Sequence, residues 1–387
     1  MKKLKIAFLC IYSHPSIDGV WSRVSNLSKL LVEKGHEVGI FSTNKIKSLN
    51  QLSCNFEEYE KIKIHRFKPY FSYGENIKFW DPTKEIIKFN PDVIIAEVYR
   101  HPHTHLALKT ARKLKIPCVL VTHAPFVEPE LRSKVGNIIA SLYDKYIGPR
   151  TLEKFSKIVS ITRWEEPYLK KLGISKRRLD YIPNGISKEF FKTKIKKGKD
   201  LMFLGRISPI KNLEILIKSL SIVKKAIPKI KLRIIGPAEP AYKQKLVLLI
   251  KNLDLEKNIS FLPAIFDIKK KIQALDQAKI FILPSKREAM PISLIEAMSR
   301  ARIVMSSNNK GSAEIIQDKK NGFIYPQEDY NQLARIIIKC LDAKNNKKIR
   351  KIELAARRTA LKFKWEEIFT RFLSILLSLK SSNKHNN

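Results

Sequence analysis

Two short stretches in the second half of the chain contain residue types that bind phosphates and sugars. In LMFLGRISPIKNLEILIKSL, an apolar run ends at Gly205, Arg206 follows at once, and Lys211 stands at the start of a helical pattern. Glycine permits close backbone approach, and a helix N-terminus adds unpaired N–H groups and partial positive charge. A guanidinium and an ammonium can stabilise the charge on a departing diphosphate. The stretch predicts a pyrophosphate site, although such a pair in so basic a chain is also typical of surface charge.

The second stretch, IFILPSKREAMPISLIEAMSRA, places two carboxylates after a buried strand. Glu288 lies in the loop, a helix is expected to begin near Pro291, and Glu296 falls in the body of that helix. Proline suits a first helical position because its missing N–H would have no partner there. Burying Glu296 among apolar neighbours is costly unless it bonds something, and a ribose hydroxyl pair is a natural partner. The alternative is a partly exposed helix glutamate.

Alternating apolar runs and helical segments must position these residues. Strands are predicted at KIAFLC, EVGIFST, DVIIAE, CVLVTHA and KIVSIT, and again at LMFLG, KLRIIG, ISFLPA, IFILPS, ARIVMS and GFIYP. A helix is predicted over residues 20–34, stopped by Gly35. This alternation is typical of parallel βα units in doubly wound sheets, which bind ligands outside the carboxyl ends of their strands. Two α/β domains are expected, joined by a lysine-rich linker.

Composition limits the possible partners and compartments. Lysine and arginine outnumber aspartate and glutamate by 75 to 36, a net charge of +39, which attracts polyanions such as an anionic membrane surface, an anionic substrate or nucleic acid. The alternative is a solvated basic surface. The four cysteines lie far apart with no CxxC pair, which favours a reducing, cytoplasmic compartment. No apolar run approaches the ~20 residues that span a bilayer, so any membrane contact is expected to be peripheral.

The two stretches together resemble the nucleotide-sugar domain of the family-4 retaining glycosyltransferases. The resemblance rests on GRISPIKNLE, on Glu288 and Glu296 at the spacing Glu-x7-Glu, on IPNGIS and on GSAEIIQDKKNGFIYPQED. HPSIDGVWSRVSNLSKLLVEKGHEV resembles the opening loop and first helix of the family, and FKWEEIFTRF its C-terminal crossing helix. The resemblance implies the GT-B fold, in which two Rossmann-like doubly wound domains face each other across a cleft. The expected domains are residues 1–190 and 199–365, with the helix 366–380 crossing back.

The resemblance also implies roles for individual residues. Arg206 and Lys211 match the pair that binds the donor diphosphate, Glu288 the residue that reaches the donor sugar, and Glu296 the residue that holds the ribose. Phosphate contacts would come from backbone N–H groups around Ile292, Ser293 and Leu294. Gly19 matches an opening-loop glycine that approaches the donor, and His123, in VLVTHA, a histidine beside the reacting centre. No metal or other cofactor is expected, and no covalent nucleophile is implied.

The chain departs from the family pattern at two places. Asp18 precedes Gly19 where the family usually has a second glycine, and a carboxylate there would repel a diphosphate unless it were turned away. The family commonly has Gly-Phe-Gly after the first glutamate, whereas this chain has Ala289, Met290 and Pro291, which could alter the sugar preference.

Two further patterns admit more than one interpretation. RHPHTHL could place His101, His103 and His105 on one side of an extended segment as metal ligands, but no Cys or carboxylate cluster completes a site. The favoured interpretation is that these residues cap the preceding strand and line the acceptor side of the cleft. Within residues 126–150, apolar side chains recur at helical spacing from Val135 to Tyr146. Such a stripe most often packs on its own domain; the alternative is a surface facing a membrane or an acceptor.

The sequence therefore predicts a retaining glycosyltransferase that uses a nucleotide-diphosphate sugar and a glycan, lipid-linked or small-molecule acceptor. A GT-B epimerase would instead act on the nucleotide sugar without an acceptor, and a phosphorylase would need a pyridoxal lysine in its own context, which is not found. A basic nucleic-acid-binding protein would bind DNA or RNA whether or not Glu288 and Glu296 were present. The expected location is cytoplasmic, with peripheral attachment to the membrane as a further possibility.

Overall fold

A computed structural model describes residues 3–16, 18–47, 51–75, 77–126 and 128–384. Ile17 of the opening loop and residues 1–2 of the expected first domain lie outside these ranges. The chain forms two compact units. The first comprises the chain up to Asn184 together with the segment from Trp365 onward, and the second is Gly185–Lys364.

The first unit is an α/β domain built around a mostly parallel sheet. Its strands are β1 (Lys5–Leu9), β2 (Glu37–Thr43), β3 (Phe56–Tyr59), β4 (Ile62–Phe67), β5 (Phe71–Tyr73), β6 (Ile77–Phe79), β7 (Val93–Glu97), β8 (Cys118–Val121), β9 (Lys157–Ser160) and β10 (Leu179–Tyr181). Its helices are α1 (Gly19–Glu33), α2 (Thr83–Phe89), α3 (Pro102–Leu114), α4 (Lys134–Leu142), α5 (Gly148–Leu152) and α6 (Glu166–Lys171), with a π-helical turn at Tyr143–Ile147 and 3-10 turns at Pro129–Leu131 and Lys176–Arg178.

The strand order of the first unit reverses beside β1. In the described residues the sheet runs β10-β9-β8-β7-β1-β2-β4-β3, and within it only β3 is antiparallel to its neighbour. β5 and β6 form a separate antiparallel hairpin. Phe8 of β1 pairs with Ile40 on one side and Ile95 on the other. All three side chains are buried, as expected for a parallel sheet covered on both faces. The switch point between β1 and β7 is where such folds bind ligands.

The second unit repeats the same plan with a shorter sheet. Its strands are β11 (Asp200–Leu204), β12 (Leu232–Ile235), β13 (Ile259–Leu262), β14 (Ala278–Leu283), β15 (Ile303–Ser307) and β16 (Phe323–Tyr325). Its helices are α7 (Glu189–Lys192), α8 (Leu213–Ala226), α9 (Pro240–Asn252), α10 (Ile268–Gln277), α11 (Ile292–Ser299), α12 (Lys310–Ile315), α13 (Tyr330–Leu341) and α14 (Asn346–Leu361), with 3-10 turns at Pro209–Lys211 and Ala343–Asn345. The parallel order β13-β12-β11-β14-β15-β16 is that of a Rossmann fold, so the expected α/β fold class is confirmed.

The last helix, α15 (Trp365–Lys384), belongs to the first unit. The Phe372 ring stacks on Phe8 with their centroids 6.5 Å apart. Residues 185–190, expected in the first domain, pack with the second unit. Cys10, Cys118 and Cys340 are buried, Cys54 is exposed, and all four are free thiols. Over the described ranges, no helix combines the length and apolarity needed to cross a membrane.

Candidate functional site

The switch point of the second unit brings the two chemical stretches together. β11, which ends before Gly205, is hydrogen-bonded along one edge to β14, which leads into the Glu288 loop. Gly236 follows the other neighbour of β11, and a Cβ added to it would lie 1.9 Å from the Gly205 carbonyl oxygen. Gly236 also has φ +147, a conformation that L side chains rarely adopt. The backbones of the two loops therefore touch because the second position is glycine.

The two predicted cations occupy different environments. Lys211 ends a 3-10 turn, and α8 begins two residues later, after Asn212 with φ +50, so Lys211 precedes the helix rather than starting it. Its Nζ lies 2.7 Å from Glu288 Oε1. Arg206 is exposed, and within the described part of the chain its guanidinium has no hydrogen-bond or ion-pair partner. Arg206 is thus available to an anionic ligand, while Lys211 is already paired.

The Glu288 loop is fixed by contacts of its backbone. Lys286 donates its N–H to Ile210 O at 2.9 Å, which joins the loop to the turn that holds Lys211. An added Cβ at Gly311 would lie 2.5 Å from the carbonyl oxygens of both Glu288 and Ala289. Only a residue without a side chain fits beneath the loop, so Gly311 supports the position of Glu288.

The second carboxylate has a partner that the sequence did not indicate. Glu296 is buried in α11, and its Oε1 lies 2.9 Å from Lys271 Nζ of α10. Burial of this glutamate is therefore compensated within the unit, and its predicted ribose contact stays a prediction. At the start of α11, the N–H of Leu294 bonds Pro291 O at 3.1 Å, whereas helix geometry leaves those of Ile292 and Ser293 without an intrahelical acceptor.

The opening loop of the first unit binds both carboxylate oxygens of its acidic residue. Asp18 is the N-cap of α1 and accepts a hydrogen bond from Trp21 N at 2.7 Å. Its other oxygen pairs with Lys47 Nζ at 3.1 Å. The negative charge of Asp18 is thereby neutralised by its own unit. An added Cβ at Gly19 would meet nothing within 4 Å, so packing in the fold does not by itself require glycine there.

His123 follows β8 and is held by a carboxylate that the sequence analysis missed. Its Nε2 lies 2.5 Å from Glu97 Oε2, at the end of neighbouring β7. Glu97 is fully buried, and its Oε1 has no partner among the described residues. His123 has φ +58 and Ala124 φ +50, a backbone conformation that costs energy in non-glycine residues. The position of Glu97 at the carboxyl end of the strand DVIIAE could have indicated that it belongs to the site.

Glu165 explains how this strained backbone is maintained. Its carboxylate is buried and accepts hydrogen bonds from Thr122 Oγ1 at 2.6 Å and from Ala124 N at 2.9 Å, on either side of His123. The backbone N–H groups of Ile161 and Thr162 bond its other oxygen at 2.7 and 3.1 Å. Burial raises the pKa of Glu165, and these hydrogen bonds oppose that shift. The glutamate therefore fixes the loop that presents His123.

The histidine run lies at the start of α3. His101 is the N-cap, His103 is buried with Nε2 2.6 Å from Glu97 O, and His105 Nε2 lies 2.7 Å from Tyr143 Oη. Burial lowers the pKa of His103 to about 3, so it is neutral at pH 7. Among the described residues, no group of three or more His, Cys, Asp or Glu side chains could hold a metal ion.

The two halves of the chain match two glycosyltransferase family models. Residues 17–190 match Glycosyltransferase Family 4, and residues 185–359 match Glycosyl transferases group 1. Together with the Rossmann order of both sheets, these matches identify a GT-B glycosyltransferase. The chain belongs to glycosyltransferase family 4.

Individual relatives and solved structures agree with this assignment. An uncharacterized glycosyltransferase of Methanocaldococcus jannaschii is 26% identical, over 90% of this chain and 92% of its own. The alpha-monoglucosyldiacylglycerol synthase of Streptococcus pneumoniae is 25% identical, over 85% of this chain and 76% of its own. The solved structure of Anabaena HepE in complex with UDP and glucose has a TM-score of 0.75 at 19% identity, and the match covers 97% of this chain and all (100%) of that one.

Proposed function

We propose that this glycosyltransferase transfers a sugar from a nucleotide-diphosphate donor to an acceptor hydroxyl with retention of anomeric configuration. The observation that carries the proposal is the juxtaposition of the Lys211–Glu288 pair with Arg206 at the switch point of the second sheet. A diphosphate at that position meets a guanidinium that has no partner among the described residues and an ammonium that can exchange its carboxylate for phosphate. The complex of Anabaena HepE with UDP and glucose supports this class of donor.

In the proposed reaction, the bond between the anomeric carbon and the phosphate oxygen breaks while the acceptor oxygen bonds that carbon from the same face. The hydroxyl proton of the acceptor passes to the departing diphosphate, which leaves as a nucleoside diphosphate. Arg206, Lys211 and the free N–H groups at the start of α11 stabilise the negative charge that builds on the leaving group. Glu288 hydrogen-bonds the donor sugar.

We assign His123 a hydrogen bond to the sugar or to the acceptor. The contact with Glu97 engages Nε2, so Nδ1 is the ring nitrogen that this carboxylate leaves for a ligand. Glu97 is thus a positioning residue, in the same sense as the carboxylate that orients a histidine in other enzymes. No covalent nucleophile is assigned.

The proposed acceptor is a glycan or a lipid-linked molecule. The names of two relatives specify lipid products or acceptors: the alpha-monoglucosyldiacylglycerol synthase above and a phosphatidyl-myo-inositol mannosyltransferase of Mycolicibacterium smegmatis, 21% identical over 88% of this chain and 85% of its own. A lipid-borne acceptor would bring the enzyme to a membrane surface, as the excess of basic residues favours.

The test is a screen of nucleotide sugars for thermal stabilisation of the protein. It is followed by measurement of acceptor-free hydrolysis and of the anomeric configuration of the sugar that is released. The wild type should be stabilised by one class of nucleotide sugar, and Arg206→Ala should abolish that stabilisation without lowering the melting temperature of the free protein. Arg335→Ala, an exposed arginine on α13, is the matched control. Stabilisation that persists in Arg206→Ala would contradict the proposal.

A further inference from the structure

The first unit exposes an apolar helix that its own core does not cover. None of the residues of α4 or of the following π-helical turn is buried. Ile139 is 63% exposed and Ile138 59%, and Val135, Leu142 and Tyr146 are also more than half exposed. The interpretation that this stripe packs on its own domain is therefore wrong for these five side chains. An exposed apolar face of this extent marks an interaction surface.

Hydrogen bonds shape the start of this helix and tie the turn that follows it to the domain. Ser133 caps α4 by accepting from Gly136 N at 3.1 Å, and Asn137 Nδ2 donates to Pro129 O at 2.8 Å. Arg100 holds Asp144 of the π-helical turn through Nε at 2.8 Å and through a second guanidinium nitrogen. The π-helical turn is thus held to the domain by Arg100, while the apolar side chains of α4 remain exposed.

A second exposed apolar segment lies close to the first. The β5–β6 hairpin exposes aromatic side chains, with Tyr70 74% and Tyr73 72% exposed. Tyr70 and Phe79 line one side of a cavity of about 670 Å³, and Tyr143 of the π-helical turn lines another. The cavity therefore joins the hairpin to the segment 134–147. We call these two segments with the cavity between them the apolar face.

Charges on the segment 134–147 of the apolar face favour an anionic partner. Lys134 lies in the first turn of α4, and Lys145 lies beside Tyr146 with its Nζ 5.2 Å from the ring centroid. The one acidic residue within 134–147, Asp144, is neutralised by Arg100. Lysines beside an apolar helical face, with tyrosines at its margin, are the residue pattern of helices that lie in the interface of an anionic bilayer.

We propose that the apolar face docks this enzyme on an anionic lipid bilayer, so that the cavity lined by Tyr70, Phe79 and Tyr143 lies at the headgroup layer and receives the polar part of a lipid acceptor. The cavity suits such a headgroup because it combines aromatic rings with the polar groups of His105, Lys109 and Asp81. Trp80 also lines it, and its indole N–H has no acceptor among the described residues. The identity of the acceptor rests on the proposed function, whereas bilayer docking does not.

Vesicle co-sedimentation tests the docking directly. Wild-type protein should sediment with vesicles of phosphatidylglycerol and phosphatidylcholine, and poorly with phosphatidylcholine alone. The double variant Ile138→Asp, Ile139→Asp should lose at least about tenfold in apparent partition, since two side chains that would enter the bilayer become charged. The matched control is Val247→Asp, Leu248→Asp, which changes two exposed apolar residues of α9 in the second unit. Equal vesicle binding by the two double variants would overturn the proposal.

Insertion depth gives an independent readout. Ile139→Trp should gain fluorescence that brominated phosphatidylglycerol quenches, after subtraction of the wild-type signal, while Leu248→Trp should gain fluorescence that is not quenched. Absence of quenching at position 139 would overturn the proposal. So would a wild type that is dimeric by light scattering and becomes monomeric in the Ile138→Asp, Ile139→Asp variant without binding vesicles, because the occupant would then be a second copy.

Nucleotide binding separates this proposal from the proposed function. Each variant is titrated with UDP and with other nucleoside diphosphates. Failure of docking alone leaves nucleotide binding intact and removes the difference between the double variants on vesicles. Failure of the proposed function alone leaves vesicle binding intact while no nucleoside diphosphate binds even the wild type.

Discussion

The ion pair between Lys211 and Glu288 predicts that its two members have opposite effects on nucleotide binding. The Lys211 ammonium lies 2.7 Å from the Glu288 carboxylate, so a diphosphate must compete with Glu288 for Lys211. Unit charges about 4 Å apart interact by about 4 kcal/mol at an effective dielectric of 20. The Lys211 side chain is 20% exposed, and solvation offsets most of that interaction. A net cost of about 1 to 1.4 kcal/mol remains for displacing the carboxylate.

Glu288→Gln should therefore bind a nucleoside diphosphate about five- to tenfold more tightly while transfer falls. Lys211→Met should bind it about 10- to 150-fold more weakly, since a charge-assisted hydrogen bond worth about 1.5 to 3 kcal/mol is lost. Isothermal titration calorimetry with the diphosphate that best stabilises the wild type measures both. Lys225→Met and Glu256→Gln change exposed charges elsewhere in the second unit and serve as controls. If both site variants shift affinity in the same direction, the competition argument is refuted.

Four further predictions concern the positions that support the site. Glu97→Gln should lower kcat about 10- to 100-fold with little change in the Kd of the donor, since it removes the carboxylate that orients His123. Steady-state kinetics measure kcat, and an equal loss of donor affinity would contradict the prediction. Glu165→Ala should lower the free energy of unfolding by about 3 to 5 kcal/mol, because it leaves buried hydrogen-bond donors unpaired. Urea unfolding followed by tryptophan fluorescence reports on the first unit, since all four tryptophans belong to it, and a loss below about 1 kcal/mol would contradict the prediction. Gly311→Ala should strongly reduce the rate of sugar transfer because the added methyl group displaces the loop 286–291. An unchanged transfer rate would contradict the role of this loop in placing Glu288. Burial lowers the pKa of His103 to about 3 in the folded protein, so folding favours the neutral imidazole. The free energy of unfolding should therefore fall as the pH drops below about 6.5, by about 2 kcal/mol at pH 5. Unfolding measured at several pH values should show no such loss in His103→Gln.

Much of the fold could be predicted because buried parallel strands are continuous apolar runs. Every strand that the sequence analysis proposed is present, and α1 begins within one residue of its predicted start. Of the strands that were not predicted, β3 and β10 lie at the edges of the sheet, and β5 and β6 form a separate hairpin. β4 lies between β2 and β3, but its residues alternate between buried and more exposed positions. Their alternating or exposed side chains, as in FEEY, produce no continuous apolar signal. The pattern thus reports burial, and strands that are not fully buried escape it.

The candidate site divides in the same way. Residue type and spacing identified Lys211 and Glu288 as candidates because both belong to local motifs, and the structure places their charged groups 2.7 Å apart. Their roles in donor binding stay predictions. Glu97 and Lys271 could not be found by spacing, since their partners lie 26 and 25 positions away and come into reach only in the folded chain. Glu165 has near partners in Ile161 and Thr162, but its bond to Ala124 spans 41 positions. Helical periodicity likewise showed that the segment 134–147 is amphipathic. Periodicity does not reveal what covers the apolar side, so only the folded structure shows that these side chains are exposed.

The two units share a topology but differ in how the charged side chains at their strand ends are paired. At the switch point of the second unit, Arg206 has no partner within the described residues, so positive charge remains for a ligand. In the first unit, Asp18 is neutralised by Lys47, and Glu165 is enclosed by the N–H groups of its own loops. The acidic residue that departs from the family pattern therefore presents little net negative charge. Because Lys47 provides that neutralisation, Lys47→Met should weaken donor binding if Gly19 approaches the diphosphate, as the resemblance to the family implies. A variant with unchanged affinity would place Asp18 too far from the donor to matter.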